Sequence, residues 1–198
     1  MLEITLIQPF RPERTGNISE DSWQLTRPFS LFFLAAALNK CGRFKVHIID
    51  LETKTYKDRS ETEIFKENYS QIFGITATTY TRFKAIELAK LIKRMHSEAM
   101  VVVGGVHFTY CAEETLLNVP EIDVVVRGEG ELAIVELAAA VEKKETIDSI
   151  AGISFRKNGE IICNPDRKEQ IDVDDLGVYE LYSIDDYPEY LYGEYEKI

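Results

Sequence analysis

Three short clusters follow apolar runs and carry residue types able to hold a ligand or move a proton. Val101-Val102-Val103 leads into Gly104-Gly105, with Val106, His107, Thr109 and Tyr110 directly after. A glycine pair bares main chain, so a second backbone or a bulky ligand can touch it with no Cβ between. A tight turn at positive φ would account for one of the two glycines. His107 has three candidate roles: metal ligand, acid–base group, or hydrogen-bond partner of its own turn. The second cluster, Thr76-Ala77-Thr78-Thr79-Tyr80-Thr81, carries five hydroxyls in six residues. Thr81 suits the cap of a following helix, which leaves Thr76, Thr78 and Thr79 for the polar rim of a ligand. In the third, Arg127-Gly128-Glu129-Gly130-Glu131, carboxylates sit at a helix start, where they favour the helix dipole and repel phosphate.

The elements that position these clusters read as alternating strands and helices. Short Val/Ile/Leu runs at 4–7, 44–51, 71–75, 100–103 and 122–126 suit strands covered on both faces, as in a parallel sheet. Helical patterns fall between them at 30–41, 61–67, 81–96, 111–117 and 131–143. Gly42 and Pro120 provide stops. This order predicts a flavodoxin-like, Rossmann-like α/β fold with a doubly wound five-stranded parallel sheet. Ligands in such sheets lie beyond the carboxyl ends of the strands, where all three clusters fall. Residues 152–164 read as a β-hairpin turning at Asn158-Gly159. The expected division is an α/β domain over 1–146, a hairpin appendage over 147–168 and an extended tail over 169–198.

Charge and composition remove several function classes. The net charge is −11, and residues 169–198 hold ten carboxylates against one lysine. The body is therefore nearly neutral and has no basic stripe to neutralise nucleic-acid phosphates. Residues 31–38 form the longest apolar run, far short of the roughly 20 residues of a membrane span. Met-Leu-Glu opens the chain without a basic n-region, so no signal peptide is expected. Three scattered cysteines, Cys41, Cys111 and Cys163, favour a reducing, cytoplasmic setting over a disulfide framework. No histidine–cysteine pairing has zinc spacing. After the first strand, Gln8-Pro9-Phe10-Arg11 opens a long polar loop to Pro28 that contains neither common phosphate-binding glycine motif.

Taken in order, "VVVGGVHFTY", "IDVVVRGEGE" and "IAGISFRKNGEI", preceded by "RPFSLFFLAAALNKCGRFKVHIIDLE", resemble the N-terminal cobalamin-binding domain of radical S-adenosylmethionine enzymes. The resemblance covers about residues 4–175. It implies a corrinoid held above the carboxyl edge, its nucleotide tail passing Gly104, Gly105, Thr76 and Thr78. The implied contacts are Gln8, Pro9, Phe10, Thr76, Ala77, Thr78, Thr79, Gly104, Gly105, Val106, His107, Thr109, Arg127, Gly128, Glu129 and Gly130. The sequence departs from the Asp-x-His-x-x-Gly pattern that supplies a lower cobalt ligand in methionine-synthase-type domains. The resemblance therefore implies base-off cobalamin without a histidine ligand from the protein.

The cysteine triplet that holds a four-iron cluster and S-adenosylmethionine in that family does not occur here. Those groups are expected only in a missing C-terminal radical domain, and methyl transfer or cyclase-like chemistry only in the full-length protein. The alternatives are a stand-alone corrinoid carrier and a flavodoxin-like interaction or regulatory domain without cofactor. The helix over Ser30–Cys41 is apolar nearly all round. Its outer face, with the tyrosine-rich tail, is expected to dock the missing domain or a second copy as a homodimer.

Overall fold

In the strands of the central sheet the side chains alternate between two helical layers. The structure, a computed structural model, describes residues 1–11, 28–53, 55–56 and 58–177. Five strands run parallel: β1 (Leu2–Gln8), β2 (Phe44–Asp50), β3 (Ile72–Thr76), β4 (Met100–Gly104) and β5 (Val124–Val126). Between them lie α1 (Phe29–Lys40), α2 (Glu61–Glu67), α3 (Arg82–Met95), α4 (Val106–Tyr110) and α5 (Ala112–Asn118), and α6 (Glu131–Lys143) follows β5. Odd-numbered Phe73, Ile75, Val101, Val103 and Val125 pack in one core with α2, α3 and α5. Even-numbered Leu6, Ile72, Val102, Val124 and Val126 pack in another with α1 and α6. This period of two assigns each strand residue to one layer.

Two antiparallel strands, β6 (Ile153–Lys157) and β7 (Glu160–Cys163), complete the sheet in the order β2-β1-β3-β4-β5-β6-β7. The order reverses between β1 and β3, as the doubly wound reading requires. The hairpin does not stand apart as an appendage. Val124, Val125 and Val126 of β5 pair with Phe155, Ser154 and Ile153, so the hairpin extends the sheet to seven strands. Asn158 and Gly159 form its turn, both at positive φ (51° and 85°).

One local expectation is corrected. Thr81 makes no side-chain cap to α3; its hydroxyl accepts from the Thr78 amide at 3.1 Å. Part of the outer face of α1 is covered by the chain itself. Ile171 and Leu176, the latter within a 3-10 turn over Val173–Leu176, pack with Phe32, Ala36 and Ala37. Lys40 Nζ also donates to the Asp175 carbonyl at 3.1 Å. The chain thus covers part of its own apolar helix, and the tail beyond residue 177 lies outside the described residues.

Candidate functional site

The two glycines after β4 have different physical roles. Gly105 has φ +90° and ψ 175°, a conformation essentially confined to glycine. A Cβ placed on it would lie 2.6 Å from the Ala77 carbonyl oxygen and 3.0 Å from Thr76 Oγ1. The bare backbone there admits the neighbouring strand end of the same protein. Gly104 differs. A Cβ at that position would meet only Val126, at 3.6 Å and 3.8 Å, both ordinary contact distances. Its remaining surroundings are open and form one wall of a cavity.

That cavity, of about 410 Å³, opens at the carboxyl edge and runs between the sheet and the α1/α6 layer. Leu6, Gly74 and Val102 line it from the sheet. Leu31 and Leu34 line it from α1, and Ile134 from α6. Gly74 pairs with Val102 and Thr76 with Gly104, so β3 and β4 present a trough of small residues side by side. A Cβ on Gly74 would stand 2.9 Å from Leu6 Cδ2, so the bare position gives room to the end of the Leu6 side chain beside the cavity. Polar groups collect at the mouth: Ser30, Thr76, Thr109, Tyr110, Glu129 and Glu131. Among the described residues that line the cavity none is a lysine, arginine or histidine.

Thr109 joins the two glycine-containing turns at the mouth. Its hydroxyl donates to the Gly105 carbonyl at 3.0 Å and accepts from the Gly128 amide at 3.1 Å. Burial, with the neighbouring Glu129 charge, holds the Glu131 carboxyl above its usual range. The nearest charge is thus one the site resists adding to, which disfavours anions in the interior.

The structure brings together Thr76, Gly104, Gly105, Val106, Thr109, Gly128, Glu129 and Gly130 around this cavity. It places the other expected residues elsewhere. Thr78 is tied to Thr81, and Thr79 Oγ1 lies 3.5 Å from His107 Nδ1. These are structural partners that the sequence reading did not supply. The His107 amide donates to the Ala77 carbonyl at 3.4 Å. Burial and the nearby Arg82 guanidinium hold the His107 imidazole below the ordinary histidine range. Ala77 is buried against the Gly105 turn and so forms the wall behind it. Arg127 turns away toward the hairpin end, pairing with Asp166 at 3.0 Å and donating to the Asn164 carbonyl. Gln8 pairs with Asp50 of β2, Pro9 is buried and Phe10 is exposed; none lines the cavity. The loop from 12 to 27 lies outside the described residues.

Sequence reasoning missed Leu6, Gly74, Leu34, Val102 and Ile134, because apolar cavity walls and core look alike in sequence. Gly74 offered one available signal: a glycine inside a strand run marks a close approach or a space.

A family model described as the B12 binding domain matches residues 24–138. The chain is 37% identical over 164 residues to PH0819 of Pyrococcus horikoshii, an uncharacterized methyltransferase, covering 81% of this chain and 35% of that protein. It is 32% identical over 152 residues to the anaerobic magnesium-protoporphyrin IX monomethyl ester cyclase of Cereibacter sphaeroides, covering 75% of this chain and 25% of that one. The chain therefore spans about a third or less of these relatives. Among solved structures, the radical S-adenosylmethionine methyltransferase TsrM from Kitasatospora setae, with cobalamin and a 4Fe-4S cluster bound, superposes at a TM-score of 0.68. That match has 21% identity over 85% of this chain and 30% of that chain. The cobalamin-dependent radical enzyme OxsB, with aqua-cobalamin and S-adenosylmethionine bound, gives a TM-score of 0.69 at 19% identity over 91% of this chain and 25% of that chain. With the model spanning more than half of the sequence, the chain belongs to the B12 binding domain family.

Proposed function

We propose that this chain is the cobalamin-holding module of a larger cobalamin-dependent radical S-adenosylmethionine enzyme that carries out methyl-transfer or cyclase-like chemistry. The observation that carries the reading is the cavity behind Gly104: apolar within, polar at its mouth, and open at the carboxyl edge of the sheet. The residues present fit the cofactor. Gly104 leaves free the volume that a side chain would fill, Gly74 gives room to the end of Leu6, and the apolar interior suits an uncharged base. Two carboxylates at the mouth oppose a phosphate entering, which favours a long arm with its phosphate left outside over a simple nucleotide.

When bound, cobalamin supplies an alkyl-carrying cobalt centre. This chain's residues would hold its nucleotide arm: Leu6, Gly74, Val102, Leu31 and Ile134 would enclose the base, and Thr76, Thr109 and Tyr110 would meet polar groups at the rim. With the base held in the cavity the cofactor would be base-off, and among the described residues that line the cavity there is no histidine to take its place. S-adenosylmethionine and the iron–sulfur cluster would belong to other parts of the enzyme. Three cysteines outside any disulfide suit a cytoplasmic protein.

Titration with hydroxocobalamin, followed by visible absorption, tests the reading. Saturable binding with a base-off spectrum, lost in Gly104→Val, is the expected result. Equal binding by both proteins overturns the role given to the cavity, and binding by neither overturns the assignment.

A further inference from the structure

The inner end of the cavity differs chemically from its mouth. Leu6, Gly74 and Val102 lie two residues inside the strand ends marked by Gln8, Thr76 and Gly104, about 7 Å at ~3.3 Å per residue. All three lie in strands whose main chain is committed to parallel pairing at these positions: Leu6 with Ile48 and Gly74, and Gly74 with Val102. Across from them stand Leu31, Leu34 and Ile134. A group lodged there meets hydrocarbon and paired backbone, with every polar side chain of the cavity left behind at the mouth. A buried polar atom without a partner loses its hydration and gains nothing in return.

We infer that this inner chamber selects corrinoids by the lower base of their nucleotide arm, accepting an apolar two-ring base and rejecting a purine that carries an amino group. The inference rests on the proposed corrinoid reading and deepens it. A benzimidazole edge bears only methyl groups toward the chamber. An adenine places an amino group and ring nitrogens where nothing can pair with them. Gly74 is the residue that sets how far in the base reaches. A side chain there would press on Leu6 and fill the chamber from the sheet, while leaving the mouth untouched.

Three probes and two variants test this. Equilibrium dialysis and visible titration of the wild-type protein compare hydroxocobalamin, its adenine-based analogue, and cobinamide, which lacks the nucleotide arm. Cobalamin is expected to bind tightest, with the adenine analogue weaker by roughly ten- to a hundredfold. Gly74→Val is expected to reduce cobalamin affinity to that of cobinamide while cobinamide binding persists, which shows that the variant is folded. Gly74→Ala combined with Leu6→Ala restores space and is expected to recover cobalamin binding. Equal affinity for the benzimidazole and adenine forms, or a parallel loss of cobalamin and cobinamide in Gly74→Val, overturns the inference while leaving the corrinoid reading intact. Wild-type protein that binds none of the three overturns both.

Discussion

Replacing each glycine of the pair after β4 with alanine should separate folding from binding. At Gly105 the new methyl would sit 2.6 Å from the Ala77 carbonyl oxygen, a backbone atom that no rotamer change can move aside. The residue would also have to hold φ +90°, which L-residues rarely adopt. Backbone strain of this kind costs about 1–3 kcal/mol, and forcing a methyl into a filled space costs a further ~1–3 kcal/mol. A combined loss of roughly 4 kcal/mol is a large part of the 5–15 kcal/mol of a typical domain. With a slope of about 2 kcal/mol per M, the urea midpoint should fall by about 2 M. At Gly104 the methyl meets Val126 at 3.6–3.8 Å and otherwise projects into the cavity. Gly104→Ala should unfold within about 1 kcal/mol of wild type, since alanine is no worse than glycine in a strand. It should nevertheless weaken hydroxocobalamin binding about tenfold or more, equivalent to ~1.4 kcal/mol. Urea denaturation and visible titration on both variants decide the matter. A Gly105→Ala protein as stable as wild type, or a Gly104→Ala protein that unfolds early, would refute the division of roles.

Three further outcomes are expected. Thr109→Val removes the hydroxyl bridge between Gly105 and Gly128 and should cost about 1 kcal/mol with faster exchange of the Gly128 amide; Thr109→Ser should keep both. The Glu131 carboxyl is held above its usual range, so the folded state binds more protons than the unfolded one across that window and stability falls as pH rises through it. Glu131→Gln should therefore raise the melting temperature at pH 7, with the difference closing as pH drops below the unfolded carboxyl value. Leu176 is 3% exposed and covers α1, so Leu176→Ala should cost about 2 kcal/mol and increase binding of an apolar dye.

The architecture was readable because period and punctuation agree. Apolar runs ending in glycine or threonine located β3 and β4, and the alternation of apolar runs with amphipathic stretches predicted the parallel order. The Asn158-Gly159 turn could be read from residue type alone. What escaped depended on pairing across the sheet. No local pattern reveals that Val124–Val126 accept a second neighbour, which makes the hairpin part of the sheet. The short α4 was hidden because "VHFTY" has weak helical character and forms one turn only in the grip of Gly105 and Thr109. At the cavity, the hydroxyls and glycines of the mouth stood out in the sequence as candidates. Arg127, Thr78 and Thr79 have partners within their own chain, because a polar residue at a strand end can serve its own chain as readily as a ligand. Leu6, Val102 and Ile134 looked like core because space beside a side chain leaves no mark on its identity.

The hollow and the solid halves of this molecule share their strands but none of their inward side chains. Moving along β3 or β4 one residue at a time should therefore give a two-beat record in a saturation library. Odd positions such as Phe73 and Val101 should tolerate little, since their neighbours leave no room. Positions 74 and 102 should admit change without collapse and register it as altered appetite for the guest. A family descended from this scaffold could retune what it carries by editing one beat and leaving the other silent.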